Sequence, residues 1–179
     1  MITETFPLDE EGDHYCRVGT DDVLFVVENA TTWWSLVESL PDDHRLGYVA
    51  WGLGGTFRAS IRVIKAKHHI TQIRYFGDLD TSGLRIPLRA STTAVELGLP
   101  SVQPAEQLYR VLQLLGRPRP AAAKEASVGV GTADELAKWL PAQCRGSAAQ
   151  LLLEGNRLAQ EWVSYRYLRQ STDWHCDVR

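Results

Sequence analysis

Short apolar runs separated by helical patterns constrain this chain more than any other feature of its sequence. Val23-Leu24-Phe25-Val26-Val27, closed by Glu28, is the clearest, and Leu46 to Trp51 and Ile73-Arg74-Tyr75-Phe76 follow. A strand with one wet face alternates polar and apolar residues. A run that is apolar on both parities needs cover on both faces, the signature of a parallel sheet flanked by helices. The segments between the runs supply those helices. Thr31 or Thr32 can cap one that carries Trp33, Trp34, Leu36, Val37 and Leu40 and stops at Pro41. Phe57, Ile61 and Ile64 repeat at helical spacing toward His68-His69, and Ser82 to Leu97 forms a third helix ending at Gly98, with Pro87 near its start. Such alternation predicts right-handed crossovers and a mostly parallel sheet.

Further along, Ser101-Val102 reads as a brief fourth strand and Ala105 to Leu115 as a helix. Gly116-Arg117-Pro118-Arg119-Pro120 is a break that no helix crosses. Beyond it lie helical patterns at Thr132 to Leu140 and Ala148 to Leu168, the second with a stripe of Leu151, Leu152, Leu158, Trp162 and Tyr165. The expected fold class is therefore α/β: an irregular leader over residues 1–21, a small mostly parallel core over 22–116, and a helical C-terminal extension over 117–179 that completes the same domain.

A chain of 179 residues is long enough to bury one proper core. Its 44% hydrophobic and 23% charged residues argue against disorder, and a net charge of −3 does not by itself advertise nucleic-acid binding. No apolar stretch approaches the roughly 20 residues of a membrane span. The segment Met1 to Phe6 lacks the basic and apolar regions of a secretory signal. Cys16, Cys144 and Cys176, odd in number and far apart, suit a reducing, cytoplasmic setting.

The chemistry concentrates in Gly77-Asp78-Leu79-Asp80-Thr81-Ser82-Gly83, directly after the third apolar run. In an open parallel sheet, ligands gather outside the carboxyl ends of the strands. Glu28 closes one run and Asp78 another, so neighbouring strands would bring both to one rim, with Asp80 beside them. Crowded carboxylates repel, and a hard cation relieves that repulsion. Mg²⁺ typically takes one or two carboxylates, water and substrate phosphate. The plainer alternative is that Glu28 caps the following helix while Asp78 and Asp80 organise a turn. Gly52, Gly54 and Gly55 precede a helix, where free amides can receive a phosphate or simply make a tight turn.

Val-Val-Glu-Asn at residues 26–29, Trp-Gly-Leu-Gly-Gly at 51–55 and Tyr-Phe-Gly-Asp-Leu-Asp-Thr-Ser-Gly-Leu-Arg-Ile at 75–86 together resemble the Toprim domain of topoisomerases, primases and certain nucleases. Within it they look most like the Toprim module of the Wadjet plasmid-defence nuclease subunit, related to the type IIB topoisomerase A subunit. The similarity covers roughly Asp22 to Arg89 and extends to Leu153–Glu161. The resemblance implies Mg²⁺-dependent DNA cleavage or nicking, with Mn²⁺ as a substitute. It places Glu28, Asp78 and Asp80 at the catalytic and metal positions, Glu28 also as acid/base, and adds Glu161 as a further acid. Gly54, Gly55, Arg58 and Arg85 would then contact phosphate or DNA.

Related full-length proteins carry winged-helix regions ahead of this module, and in the topoisomerases these supply an attacking tyrosine. Tyr15 is the single tyrosine before Val23 here. The resemblance therefore implies either water as nucleophile or a DNA-binding partner protein or assembly, and it is compatible with a homodimer. Two rival readings stand beside it. One is a DNA-associated scaffold that keeps the fold without turnover. The other is a haloacid-dehalogenase-type phosphatase using Asp78-Leu79-Asp80-Thr81, although a complete strand–helix–strand precedes that motif and no Asp-Asp pair follows it.

Overall fold

Five strands form one sheet: β1 (Tyr15–Arg17), β2 (Val23–Val27), β3 (Leu46–Trp51), β4 (Gln72–Phe76) and β5 (Val102–Pro104). The structure, a computed structural model, describes residues 15–52, 57–64, 68–122 and 127–179. The spatial order is β1-β3-β2-β4-β5, parallel throughout except for β1, which runs antiparallel to β3. All five residues of β2 are buried, which is why its sequence shows no polar alternation. Val23, Phe25 and Val27 face one side with Leu36 of α1 (Ala30–Val37). Leu24 and Val26 face the other, with Phe57 of α2 (Phe57–Ser60) and with Ala90 and Ala94 of α3 (Thr81–Glu96).

This layering decides where a ligand can sit. From β2 the chain crosses to β3 through α1 on one face; from β4 it crosses to β5 through α3 on the other. The connections leave the adjacent strands β2 and β4 in opposite directions, and the crevice between their carboxyl ends is the topological switch point. The register pairs Val27 with Phe76, so Glu28 and Gly77 leave the sheet side by side.

The remaining helices are α4 (Glu106–Leu115), α5 (Val130–Ala137), α6 (Ala142–Leu153) and α7 (Tyr165–Gln170). One apolar cluster joins them to the sheet, running from Val23 and Phe25 through Leu112, Leu136 and Leu152 to Trp174 and Val178. Among the described residues, no helix is long and apolar enough to cross a membrane.

Three local expectations need correction. The pattern at Ala148 to Leu168 is not one helix. Gly155 adopts φ +66, a left-handed turn natural to glycine, and ends α6. The chain then pairs as a two-stranded ribbon, β6 (Arg119–Pro120) against β7 (Asn156–Arg157), before a 3-10 turn over Gln160–Trp162. Leu158 keeps its apolar role by bridging to Leu79. Secondly, α1 is capped by Asn29, whose side-chain oxygen accepts from the amides of Thr31 and Thr32, rather than by either threonine. Glu28 does not cap that helix. Thirdly, Tyr15–Arg17, read as leader, forms edge strand β1; three residues carry too little pattern to be seen in sequence.

Candidate functional site

Glu28 is placed by the sheet and aimed by its neighbours. Its amide donates to the carbonyl of Phe76 at 3.0 Å, extending the β2–β4 ladder by one step. Its Oε2 accepts from the Tyr75 hydroxyl at 3.0 Å and from the Asp78 amide at 3.3 Å. The carboxylate therefore reaches across to the end of β4. Gly77 makes that reach possible, because a Cβ there would collide with Oε2 and with the Tyr75 ring. Tyr75 is fully buried and stacks on Phe57, ring centroids 5.5 Å apart. From the other face, Tyr109 accepts the Gly77 amide at 3.1 Å. Two buried tyrosines thus fix the loop on which the aspartates sit.

Asp78 and Asp80 are each held by a backbone amide. Asp78 Oδ1 accepts from Gln160 at 2.8 Å, and its Oδ2 lies 3.5 Å from the Arg157 guanidinium. Asp80 is 3% exposed and caps α3, its Oδ1 accepting from Gly83 at 2.7 Å. The turn-organising role of Asp80 is thus real and occupies one of its oxygens. Glu161 arrives from the far end of the chain on the 3-10 turn, where its Oε1 accepts from Asn29 Nδ2 at 2.7 Å. The Leu79–Leu158 bridge, with N–H···O distances of 3.0 and 3.1 Å in its two directions, pins this C-terminal segment alongside the acidic loop.

The electrostatics record the crowding. Burial first, and the charge on Asp78 second, push the Glu28 carboxyl up to about 7, against the lowering effect of the Tyr75 hydrogen bond. Burial also raises Asp78; the Gln160 amide and Arg157 oppose that rise, while Asp80 and Glu161 add to it. At neutral pH the cluster therefore favours taking up a proton or a cation.

Its donor set, carboxylate oxygen throughout, fits a hard divalent cation. Among the described residues no three His, Cys, Asp or Glu side chains are drawn together into a ready cage. An ion would rest on one or two of these carboxylates and complete its shell with water or phosphate, the ordinary arrangement for Mg²⁺.

The other expected positions are scattered. Gly54 and Gly55 lie outside the described residues. The Gly52 amide donates to the Val27 carbonyl at 2.7 Å, so it is spent on the sheet. Arg85 is exposed one turn into α3. Arg58 turns away: its Nε donates to Thr93 at 3.2 Å, about 18 Å along α3 from the acids at a rise of about 1.5 Å per residue. Sequence reasoning missed Asn29, Tyr75, Tyr109, Arg157 and Gln160. Asn29 had a visible signal, as an Asn directly before a helical pattern. Arg157 had none, because the segment around it reads as helix.

Fold and site together define an α/β protein with a mostly parallel sheet and a carboxylate cluster at the sheet's switch point. Over residues 15–172 the sequence matches the family described as Wadjet protein JetD, C-terminal, and the chain belongs to that family. No match was found among curated proteins.

Proposed function

We infer that this chain is a Toprim-type module that cleaves or nicks DNA with Mg²⁺ or Mn²⁺, acting beside a DNA-binding partner within a larger Wadjet plasmid-defence assembly. One observation carries the reading: Glu28 and Asp78 are 50 residues apart in sequence, yet Glu28 Oε2 accepts from the Asp78 backbone amide and the Asp78 charge acts on Glu28, with Asp80 and Glu161 close enough to perturb Asp78. Family membership supports the Wadjet setting.

In this reading Asp78 and Asp80 hold the ion, and Glu28 and Glu161 flank it. A bound Mg²⁺ would neutralise phosphodiester oxygens and stabilise charge on the attacking and leaving groups. The amides of Gln160 and Gly83 orient the two aspartates without neutralising them. Glu28, anchored by Tyr75, is the candidate acid/base, and its elevated pKa suits proton exchange near neutrality. Water is the nucleophile.

The test is nicking of supercoiled plasmid with Mg²⁺ or Mn²⁺, comparing wild type with Asp78→Ala. Loss of cleavage in the variant supports the assignment, and unchanged cleavage rejects it. The scaffold reading is favoured by one feature, the commitment of Asp80 to capping α3. It is the better account if neither protein cuts.

A further inference from the structure

A cavity of about 350 Å³ opens beside the acidic cluster, lined by Arg117, Arg119, Arg157, Ala159, Glu161 and Trp162. Three guanidinium groups face one carboxylate there, and the Oε1 of that carboxylate is already engaged by Asn29. The ribbon puts Arg119 directly opposite Arg157. Residues opposed in an antiparallel pair stand on the same face with Cβ atoms about 4.5–5.5 Å apart, and like charges so placed are destabilising. Arg157 is partly compensated by Asp78. Among the described residues neither Arg117 nor Arg119 is ion-paired, so Arg119 stands opposite Arg157 without an acid of its own on a protein of net charge −3.

We propose that the β6–β7 ribbon is a phosphate cradle: Arg117, Arg119 and Arg157 grip the backbone of a nucleic-acid strand and Trp162 offers a flat wall to its sugar or base. Arginine forks suit phosphate oxygens, and backbone contacts position a nucleic acid without reading its sequence. Arg157 joins the cradle to the acids, because the same guanidinium faces both the cavity and Asp78. A strand held at the ribbon is thereby delivered next to Asp78 and Glu161. The proposal rests on the phosphodiester reading and deepens it by naming where the strand lies.

The experiment is fluorescence anisotropy of the 179-residue chain with a labelled DNA duplex in EDTA, over a salt titration. The comparison is between wild type, Arg117→Ala/Arg119→Ala and a charge-matched control, Lys138→Ala/Arg179→Ala. Lys138 pairs with Glu135, and Arg179 with Asp43 just ahead of β3, so neither borders the cavity. The cradle variant should bind at least about tenfold more weakly at low salt. Its plot of log affinity against log salt should flatten by about 1.8, roughly 0.9 per lost contact, while the control follows wild type. Both arginines are exposed, and unchanged circular dichroism and melting verify the fold; the same pair changed to Gln repeats the test.

Wild-type affinity in the cradle variant, or no binding by wild type in low salt, overturns the proposal. So does displacement of the duplex by inorganic phosphate at matched ionic strength, which would mark a pocket for a free anion. Because binding is read without metal, the cradle and the cleavage chemistry fail separately. Lost binding in the cradle variant with no Asp78-dependent nicking spares the cradle. Asp78-dependent nicking with intact binding in the cradle variant removes it.

Discussion

Two buried carboxyl sites in this molecule answer the same desolvation in opposite ways. Asp177, 1% exposed, accepts the Leu108 amide at 2.8 Å near the start of α4 and lies 3.5 Å from Arg74. Burial raises it to about 6, even though the amides of Leu108 and Gln107 and the charge of Arg74 oppose the rise. Glu28 is raised to about 7, and there the second cause is another carboxylate pushing the same way. At the first acid the donors and Arg74 outrank the one opposing charge, Glu106; at the second the Asp78 charge outranks the Tyr75 hydroxyl. Burial alone therefore distinguishes neither. The sign of the neighbours separates a carboxylate that ties a helix to the core from one that awaits a proton or cation.

The sharpest way to break this contrast is to remove one acid from each site. Asp78→Asn keeps an acceptor for the Gln160 amide and removes the charge. If Asp78 holds an ion, plasmid nicking should fall by about 100-fold or more, with the melting temperature close to wild type. Asp177→Ala should do the reverse. It strips amides of α4 of their acceptor and leaves Arg74 without its partner, at a cost of about 3 kcal/mol. At this chain length that is a fall of roughly 6–12 °C in melting temperature, with nicking retained at 25 °C. Equal effects of the two substitutions on nicking would erase the distinction.

A pH series sharpens it further. Folding lifts Glu28 from 4.5 to about 7, so between those values the folded protein holds a proton that the unfolded chain has released. In EDTA, stability should fall as pH rises from about 4.5 to 7, by an amount on the order of 2–3 kcal/mol from this group. Glu28→Gln should flatten that part of the profile in chemical denaturation. A profile with the same slope in the variant would show that the rim acids are not frustrated.

The smallest effect separates two roles of one side chain. Asn caps a helix about as well as Asp, so Asp80→Asn should change stability by less than about 0.5 kcal/mol, whereas Asp80→Ala should lose about 1 kcal/mol. If Asp80 also holds an ion, both variants should lose nicking alike. Nicking that tracks helix stability instead would confine Asp80 to capping.

Much of the sheet was legible because its signal is local. A strand covered on both faces must be apolar at consecutive positions, and β2 and β3 show this within five or six residues, whereas β4 keeps Arg74 between Ile73 and Tyr75. The Gly-Asp-x-Asp loop was legible for the same reason: glycine is needed where Glu28 crosses Gly77, and the acids sit next to it in the chain. The end of α6 was not. The stripe through Leu151, Leu152 and Leu158 satisfies helical spacing, yet Leu158 meets it from outside a helix, through its bridge to Leu79.

What the chain order dictated, then, was the set of parts: parallel strands, their acidic ends and the glycine that lets them approach, all consequences of burial and sterics acting over a few neighbouring residues. The folded arrangement alone decided which parts meet. Asn29 reaches Glu161 across 132 residues, Gln160 fixes Asp78 across 82, and the ribbon sets Arg119 against Arg157 beside them. Such partners share no spacing that a linear pattern can reveal. They are chosen when a distant backbone amide or guanidinium is packed against a carboxylate that burial has left in need of one.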